Sequence, residues 1–190
     1  MFIAAAILAA GTSLRLGQSK QLLRLDGQSL IRRAVQTVLA AQVARVLVIV
    51  GRDADLIRDE LRDLSVELIV NEEWREGMAA SVRSAVNNAS EAEALLLTPC
   101  DLPLLSVAHL RALIERFERG DAPIVASRYN ETLGAPLVIG RALWPELLQL
   151  RGDVGARRVI MRHQASFIEW PDGAFDVDTR QDWENLGYEL

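Results

Sequence analysis

Short aliphatic runs alternate with segments of helical period along most of this chain. The run RVLVIV at residues 45–50 is a continuous strand pattern, whereas Leu30, Ala34 and Val38 form one stripe of a helix at residues 28–42. Strands without polar alternation need cover on both faces, and β-α alternation favours parallel strands. The pattern predicts a three-layer α/β fold, in which helices cover both faces of a mostly parallel, doubly wound (Rossmann-like) sheet.

The same change of period predicts the other elements. Further strands are expected at residues 2–8, 66–70, 94–98, 123–127, 135–139, 166–170 and 174–177. Further helices are expected after Asp53 and at residues 78–88, 106–119, 141–150 and 154–162. Thr179 and Asp182 resemble a capping box, so a last short helix is expected to follow Thr179.

Size and composition favour one domain that spans residues 1–190. The formal net charge of −5 argues against a general nucleic-acid binder. A single cysteine, Cys100, allows no internal disulfide and fits a reducing, cytoplasmic compartment. The apolar run at residues 2–10 has no basic residue before it and is shorter than the roughly 20 residues of a membrane span. We therefore expect neither a secretory signal nor a membrane segment.

The segment LAAGTSLRLGQSK at residues 8–20 follows the first predicted strand, where ligands of parallel α/β sheets bind. Its small residues allow close approach to backbone N–H groups, and its hydroxyls and cations suit a triphosphate. The spacing matches neither G-x-x-x-x-G-K-[ST] nor G-x-G-x-x-G, and a turn with two solvated cations is the alternative. The candidate nucleotide-binding residues are Leu8, Ala9, Ala10, Gly11, Thr12, Ser13, Arg15 and Lys20.

The loop TPCDLP at residues 98–103 is a candidate metal site. Asp101 stands at a strand end between two prolines, where it offers a hard oxygen ligand to Mg²⁺. The alternative is an aspartate that caps the next helix, although Ser106 is better placed for that. The neighbouring Cys100 is interpreted as a core residue.

The segment DVDTRQD at residues 176–182 offers a second metal ligand. Asp176 and Asp178 alternate along the predicted strand and should point to opposite faces. Asp178 lies nearer the carboxyl end of that strand, which favours Asp178, with turn-forming aspartates as the alternative. His109 and His163 lie in or after predicted helices without partners at metal-ligand spacing, so neither is expected to bind a metal.

The spacing L-A-A-G-x-S-x-R-x-G-x-x-K resembles the signature loop of the nucleotidyltransferases related to molybdenum cofactor guanylyltransferase and cytidylyltransferase. The resemblance is closest to the cytidylyltransferase branch and runs essentially from end to end. One departure is Leu16, where the family usually has Met. The resemblance implies catalytic roles for Arg15, Lys20 and Asp101, and it implies that Asp101 and Asp178 bind Mg²⁺.

Two other stretches gain meaning from the resemblance. In NEEWREGMAASV at residues 71–82, the G-M-x-x-S pattern resembles a nucleobase site of cytidine-selecting members, and the N–H groups that open its helix should face the ligand. The base-pocket candidates are Gly77, Met78 and Ser81. The stretches LGAP at residues 133–136 and RGDVGARR at residues 151–158 resemble the acceptor site, although Ala135 stands where a polar residue is common. The acceptor candidates are Gly134, Pro136, Gly152, Asp153 and Arg157; for Asp153, a helix cap is the alternative.

The resemblance implies a reaction in which CTP (or GTP) and the molybdopterin cofactor give a dinucleotide and pyrophosphate. A cofactor-delivery chaperone or an apo-molybdoenzyme is the implied further partner, with no nucleic acid and no membrane. Because the attacking phosphate is already ionised, no dedicated general base is needed. Three alternatives remain: another acceptor or nucleotide on the same fold, as in guanylyltransferases and sugar- or isoprenoid-phosphate nucleotidyltransferases; a flavin- or nicotinamide-linked oxidoreductase; and a non-catalytic nucleotide-binding module.

Overall fold

The structure is a computed structural model that describes residues 1–11 and 18–187. Within these residues, seven strands form one sheet and two short strands form a separate hairpin. The strands are β1 (Ile3–Ala9), β2 (Arg24–Leu25), β3 (Gln28–Ser29), β4 (Arg45–Val50), β5 (Glu67–Val70), β6 (Ala94–Pro99), β7 (Ile124–Tyr129), β8 (Thr132–Gly140) and β9 (Ser166–Glu169). The helices are α1 (Leu30–Ala40), α2 (Ala54–Leu61), α3 (Met78–Asn88), α4 (Val107–Glu118), α5 (Trp144–Leu147), α6 (Arg157–Ile160) and α7 (Arg180–Asn185).

The large sheet has the strand order β5-β4-β1-β6-β8-β7-β9. Strand β8 runs antiparallel to its neighbours β6 and β7, and the other pairs are parallel. The predicted α/β fold with a mostly parallel sheet is therefore confirmed. Because Leu8 of β1 pairs with Pro99 of β6, the loops that follow these two strands begin side by side at one edge of the sheet.

Helices cover both faces of the sheet, as its continuous aliphatic strands require. Along β1, Ile3, Ala5 and Ile7 pack on the face covered by α1, α2 and α4. Ala4 and Ala6 pack on the opposite face, which is covered by α3, α5 and α6. Full burial of a large aliphatic side chain is worth about 1.5–3 kcal/mol. These two layers of apolar contacts therefore fix the position of the strand ends that carry the site.

The hairpin of β2 and β3 was not predicted. Its turn is formed by Asp26 and Gly27, whose φ angles are 51° and 79°. A two-residue hairpin turn requires positive φ at both central residues, and Asp-Gly is a preferred sequence for it. The hairpin leads directly into α1, where Ser29 caps the first turn by accepting from the Arg32 N–H.

A third, smaller core joins this hairpin to the C-terminal segment. Leu25 and Leu30 pack there against Val177 and Trp183. Thr179, together with Asp182, forms the predicted capping box at the start of α7. The third core therefore holds the segment that precedes α7 against the elements that follow the glycine-bearing loop.

The strand predicted at residues 174–177 is wrong. Residues Pro171–Ala174 form a 3₁₀ helix, and the described chain between it and α7 contains no strand. The N–H of Val177 instead donates to the carbonyl oxygen of Asp101 at 3.1 Å, and its side chain enters the third core.

The helix predicted at residues 154–162 is also shorter than expected, since α6 has only four residues. No helix in the described ranges is long and apolar enough to cross a bilayer.

Candidate active site

Lys20 connects two loops that are distant from it in the chain. It begins the 3₁₀ helix Lys20–Leu22 after the glycine-bearing loop. Its Nζ donates to Oδ2 of Asp101 and, at 2.7 Å, to Oδ1 of Asp178. The side chains of Lys20 and Asp101 are 14% and 12% exposed, and that of Asp178 is 46% exposed. The structure therefore brings three of the predicted site residues into one cluster.

The ammonium group of Lys20 is positively charged throughout the neutral pH range. Burial alone would lower the pKa of Lys20, but the charges and hydrogen bonds of Asp101 and Asp178 outweigh burial and raise that pKa above its ordinary value. A lysine that stays protonated is unsuited to act as a base and well suited to neutralise phosphate charge.

Lys20 is also the only lysine of the sequence, since the other 20 of its 21 cationic residues are arginines. An ammonium is a compact point charge, whereas a guanidinium is planar and wider. The position between two carboxylates fits the smaller group. This compositional signal is independent of the loop spacing that predicted Lys20 and points to the same residue.

Asp101 is placed to bind a cation. It does not cap the next helix, because Ser106 does so by accepting from the His109 N–H at 3.2 Å. One oxygen of Asp101 pairs with Lys20, while the buried Oδ1 receives no hydrogen bond from the described residues. An unpaired buried carboxylate oxygen is costly. Together with the nearby Asp178, this donor set fits Mg²⁺, which proteins usually hold through one or two carboxylates and substrate phosphates.

A cavity of about 700 Å³ opens beside the Lys20 cluster, and we call it the nucleotide cavity after the residues that were predicted to bind a nucleotide. This volume is in the range of pockets that enclose small-molecule ligands. Its lining includes seven of the predicted nucleotide-binding residues, namely Leu8, Ala10, Gly11, Lys20, Gly77, Met78 and Ser81. Ala9 instead packs in the core on the other side of β1. The predicted residues Thr12, Ser13 and Arg15 lie outside the described residues.

Gln21 is a buried polar residue of this cavity that the sequence analysis missed. Its Nε2 donates to the carbonyl oxygens of Ala9 at 3.0 Å and Gly11 at 2.8 Å. Its Oε1 accepts from the Ser19 hydroxyl at 2.8 Å. Because both carbonyls turn toward Gln21, this side chain fixes the peptide orientations at the start of the glycine-bearing loop. Nothing in the composition of SKQLL distinguishes a buried glutamine from an exposed one.

The start of α3 differs from the prediction. The Met78 N–H donates to Oδ1 of Asp153 at 3.4 Å, and the Ala79 N–H donates to the Gly152 carbonyl at 3.1 Å. The expectation that these N–H groups face a ligand is therefore wrong, because the loop at residues 152–153 satisfies them. Gly77 has a φ of 114°, and a Cβ there would lie 2.8 Å from the Gly152 backbone. Only glycine permits this close contact between the two loops.

A second cavity, of about 560 Å³, borders the same cluster, and we call it the acceptor cavity because the predicted acceptor residues Gly134 and Arg157 line it. Its wall includes Tyr129 and Asn130 at the end of β7, together with Thr132 and Gly134 on β8. The two cavities share Leu8, Lys20, Met78, Pro99 and Asp101. Lys20 and Asp101 therefore lie at the junction of the two cavities and line both of them.

Comparison with known proteins agrees with this geometry. Residues 5–166 match the family described as the MobA-like NTP transferase domain. The chain belongs to this family. The resemblance that the signature loop predicted is thereby confirmed, as is membership in a family of nucleotidyltransferases.

This MobA-like chain is similar to curated proteins with different names. It is 28% identical to nicotine blue oxidoreductase of Paenarthrobacter nicotinovorans, with 95% of this chain and 91% of the relative covered. It is 24% identical to the molybdenum cofactor cytidylyltransferase of Escherichia coli, with 93% and 91% covered. Similarity at this level extends over nearly the whole length of both relatives.

Solved structures give the same picture. Rv0371c of Mycobacterium tuberculosis superposes with a TM-score of 0.86 at 28% identity, covering 97% of this chain and 96% of Rv0371c. A second structure of Rv0371c is a complex with manganese and has a TM-score of 0.83 at 25% identity, with 98% of each chain covered.

The predicted acceptor residues of the MobA-like chain do not all reach one place. Gly134 and Arg157 line the acceptor cavity, whereas Asp153 lines the nucleotide cavity. Gly152 faces α3 through its carbonyl, as described above. Pro136 is buried in β8, and its carbonyl accepts from the Ser127 hydroxyl at 2.7 Å.

Three side chains of the acceptor cavity, those of Tyr129, Asp176 and Asp178, change what the sequence predicted for this region. Asp176 and Asp178 both line this cavity, so the expectation that they point to opposite faces is wrong, because no strand forms there. Partial burial and the charges of Asp101 and Asp178 raise the pKa of Asp176. Tyr129 was not predicted as a site residue. Burial and the charge of Asp176 likewise raise the pKa of its phenol. Tyr129 therefore remains a hydrogen-bond donor at neutral pH.

Cys100 is a core residue of the MobA-like chain. It is 3% exposed, and burial together with the nearby carboxylate of Asp101 raises the pKa of its thiol. A neutral buried thiol is a poor nucleophile. The interpretation of Cys100 as a packing residue is consistent with both observations.

Proposed function

We propose that this chain transfers CMP from CTP to the terminal phosphate of the molybdopterin cofactor and releases pyrophosphate. The product is molybdopterin cytosine dinucleotide. The observation that carries the proposal is the position of Lys20, which pairs with Asp101 and Asp178 where the nucleotide cavity meets the acceptor cavity. A transferase must bring two anionic substrates together at one point, and a fixed cation at such a junction reduces their repulsion.

In the proposed reaction, a terminal phosphate oxygen of the acceptor attacks the α-phosphorus of CTP. A new P–O bond forms while the bond from the α-phosphorus to the oxygen that bridges to the β-phosphorus breaks. The bonding electron pair leaves with pyrophosphate. The second pKa of a phosphate monoester is about 6, so the attacking oxygen is already ionised at neutral pH and no protein base is required.

Lys20 supplies positive charge to the phosphates, since its raised pKa keeps it protonated. Asp101 and Asp178 would hold Mg²⁺, which would neutralise charge on the triphosphate and on the departing pyrophosphate. The related protein Rv0371c has been solved as a complex with manganese, which supports a divalent cation as a ligand in this proposal. Arg15, which lies outside the described residues, is proposed as a second phosphate contact from the resemblance of its loop.

The proposed substrates divide between the two cavities. Gly77, Met78 and Ser81 line the nucleotide cavity and are proposed to contact the base. The name of the Escherichia coli relative supports CTP as the nucleotide. Gly134 and Arg157 are proposed to contact the acceptor in the second cavity. The product would pass to an apo-molybdoenzyme, directly or through a cofactor-delivery chaperone.

Pyrophosphate release from each of the four common NTPs, with and without the molybdopterin cofactor, tests this proposal. We expect release that requires both the cofactor and CTP, and that is much slower with the other nucleotides. Release in the presence of the cofactor with GTP, but with none of the other three nucleotides, would make the chain a guanylyltransferase. Release with a sugar phosphate in place of the cofactor would reassign the acceptor.

A redox function is the second candidate, because a relative that is 28% identical across 95% of this chain is named nicotine blue oxidoreductase. The sequence lacks the G-x-G-x-x-G loop that dinucleotide-binding folds use. A redox enzyme would oxidise NADH or NADPH in the presence of an electron-accepting dye, with or without added flavin. The transferase proposal expects no such oxidation above the protein-free rate.

A further inference from the structure

Asn71 and Ser81 form a buried polar pair, of which Ser81 lines the nucleotide cavity. They are 6% and 4% exposed, respectively. The Nδ2 of Asn71 donates to Oγ of Ser81 at 3.2 Å. Ser81 lines the nucleotide cavity on the first turns of α3, whereas Asn71 follows β5 and its N–H donates to the Val50 carbonyl at 2.8 Å. Asn71 is thus held by the sheet and has no role assigned so far.

The direction of the hydrogen bond between these residues follows from a third group. The Glu73 N–H donates to Oδ1 of Asn71 at 3.1 Å. A backbone N–H is only a donor, so it identifies that atom as the amide oxygen and leaves the amide nitrogen facing Ser81. The Ser81 oxygen is therefore an acceptor in this pair.

The Ser81 hydroxyl must then direct its own proton elsewhere. A hydroxyl has one hydrogen to donate, and no group in the described part of the chain is recorded as accepting it. Ser81 lines the nucleotide cavity, so a ligand there is within reach of the hydroxyl. A buried donor that is fixed in this way favours a ligand with an acceptor at the same position, since an opposing donor would leave both groups unpaired.

We propose that Asn71 is a specificity-determining positioning residue that fixes the Ser81 hydroxyl as a donor to the nucleobase. This inference rests on the proposed function and specifies how its nucleotide is chosen. Cytosine presents N3 and O2 as adjacent acceptors on its Watson–Crick edge. Uracil and guanine instead present an N–H donor at the centre of that edge. A Ser81 hydroxyl that donates to the central atom of this edge, N3 of cytosine, therefore selects cytosine over both of them.

The sharpest test replaces Asn71 by its isosteric acid. In Asn71→Asp, the new carboxylate still accepts from the Glu73 N–H but can no longer donate to Ser81, so it accepts the hydroxyl proton instead. Titration of CTP and of UTP in the presence of magnesium, without an acceptor, measures the effect as dissociation constants. We expect the Kd for CTP to rise about tenfold or more, with little change for UTP, so that the preference for CTP falls.

Two further variants show whether Asn71 acts through Ser81. Ser81→Ala should raise the Kd for CTP by a similar factor, and the double variant should be no weaker than the weaker single variant. Asn87→Asp makes the same chemical change at an exposed position of α3 and should keep the wild-type Kd. Circular dichroism and the melting temperature establish that each variant is folded.

The outcomes separate this inference from the proposed function. If the wild-type chain binds no nucleotide, both are overturned. If it binds CTP but folded Asn71→Asp keeps the wild-type Kd, or if the two substitutions are additive in the double variant, only the role of Asn71 is overturned. If Asn71→Asp does not fold, Ser81→Ala alone decides: an unchanged ratio of the Kd values for CTP and UTP overturns the inference.

Discussion

The two sides of the sheet that meet at β6 are built differently. On the nucleotide side, β5, β4, β1 and β6 are parallel and pair in unbroken register. On the acceptor side, β8 reverses direction, and the register of β7 and β8 shifts between Ala126 and Ser127. On one face of the sheet, the nucleotide side is covered by α3, of 11 residues, whereas α5 and α6 beside the acceptor side have four residues each. On the other face, both sides carry a long helix, α1 and α4.

We infer that the two sides have different roles. The nucleotide side fixes the strand ends that carry the glycine-bearing loop and Asp101, where small displacements would disrupt the charge cluster. The acceptor side forms the wall of the acceptor cavity from strand ends and short segments, which tolerate changes of shape more readily. We therefore expect variants at the junction to abolish the reaction and variants on the acceptor side to alter acceptor binding alone.

The largest effect is expected at the junction itself. Lys20→Ala and Asp101→Asn should each lower kcat at least about 100-fold to 1,000-fold, because each removes charge that acts on the transferred phosphate. Lys20→Arg keeps the charge but not the shape and should recover only part of the activity. Pyrophosphate release measures these rates, and Arg24→Ala, at an exposed ion pair with Glu60, is the control. Near-normal rates in both folded junction variants would rule out the assignment.

The second prediction concerns how the C-terminal segment is held at the junction. Trp183 is 2% exposed in the third core, and Trp144 is 5% exposed beneath the acceptor side of the sheet. Replacing either by Ala should lower the free energy of unfolding by about 3–5 kcal/mol. When kcat is measured at a temperature well below the melting temperature of each variant, only Trp183→Ala should show a lower value. The reason is that Asp178 lies in the segment that Trp183 holds in place. Equal kcat values in the two variants would contradict that role.

Most strands and helices of the nucleotide side could be predicted from the sequence, because continuous aliphatic runs and helical periods determine where these elements form. The same rules explain why Asp101, at a strand end, was identified. The meeting of Asp178 with Lys20 depended on the resemblance, since 158 residues separate them and no local pattern connects them. The strand predicted at residues 174–177 failed because Val177 alternates with polar residues but packs into the third core. Gln21 was missed because its two backbone acceptors become neighbours only in the folded loop.

The third prediction uses a buried histidine of the acceptor side. His109 stacks on Trp170 at 4.6 Å and its Nε2 lies 2.8 Å from the Ser127 hydroxyl, which itself donates to the Pro136 carbonyl. Burial lowers the pKa of His109 to about 4. Because the folded state resists protonation, the stability that neutral His109 contributes is complete above about pH 6.5 and is lost as the pH falls toward 4. The loss should reach about 3 kcal/mol at pH 4.

Denaturant unfolding between pH 7 and pH 4 measures this loss. His109→Gln keeps a donor toward Ser127 but does not titrate, so the fall in stability over this interval should be shallower than in the wild type. An equally steep fall in the variant would assign the pH dependence to other groups.

The smallest effect is expected for a direct acceptor contact. Arg157 is exposed and lines the acceptor cavity, whereas the adjacent Arg158, which is also exposed, is not part of that lining. Arg157→Ala should raise the KM for the acceptor about tenfold through loss of a charge-assisted contact, and it should leave the KM for CTP unchanged. Arg158→Ala should change neither value. A rise in the KM for CTP in Arg157→Ala would place Arg157 on the nucleotide side instead.

In the proposed reaction, a nucleotidyl group, and not a terminal phosphate, passes from the nucleotide cavity to the acceptor cavity at the junction. Single turnovers with CTP that carries radioactive phosphorus at either the α or the γ position test this directly. We expect the acceptor product to retain the α-label and the γ-label to leave in pyrophosphate. Transfer of the γ-label to the acceptor, or no label in the acceptor from either substrate, would contradict the proposed reaction.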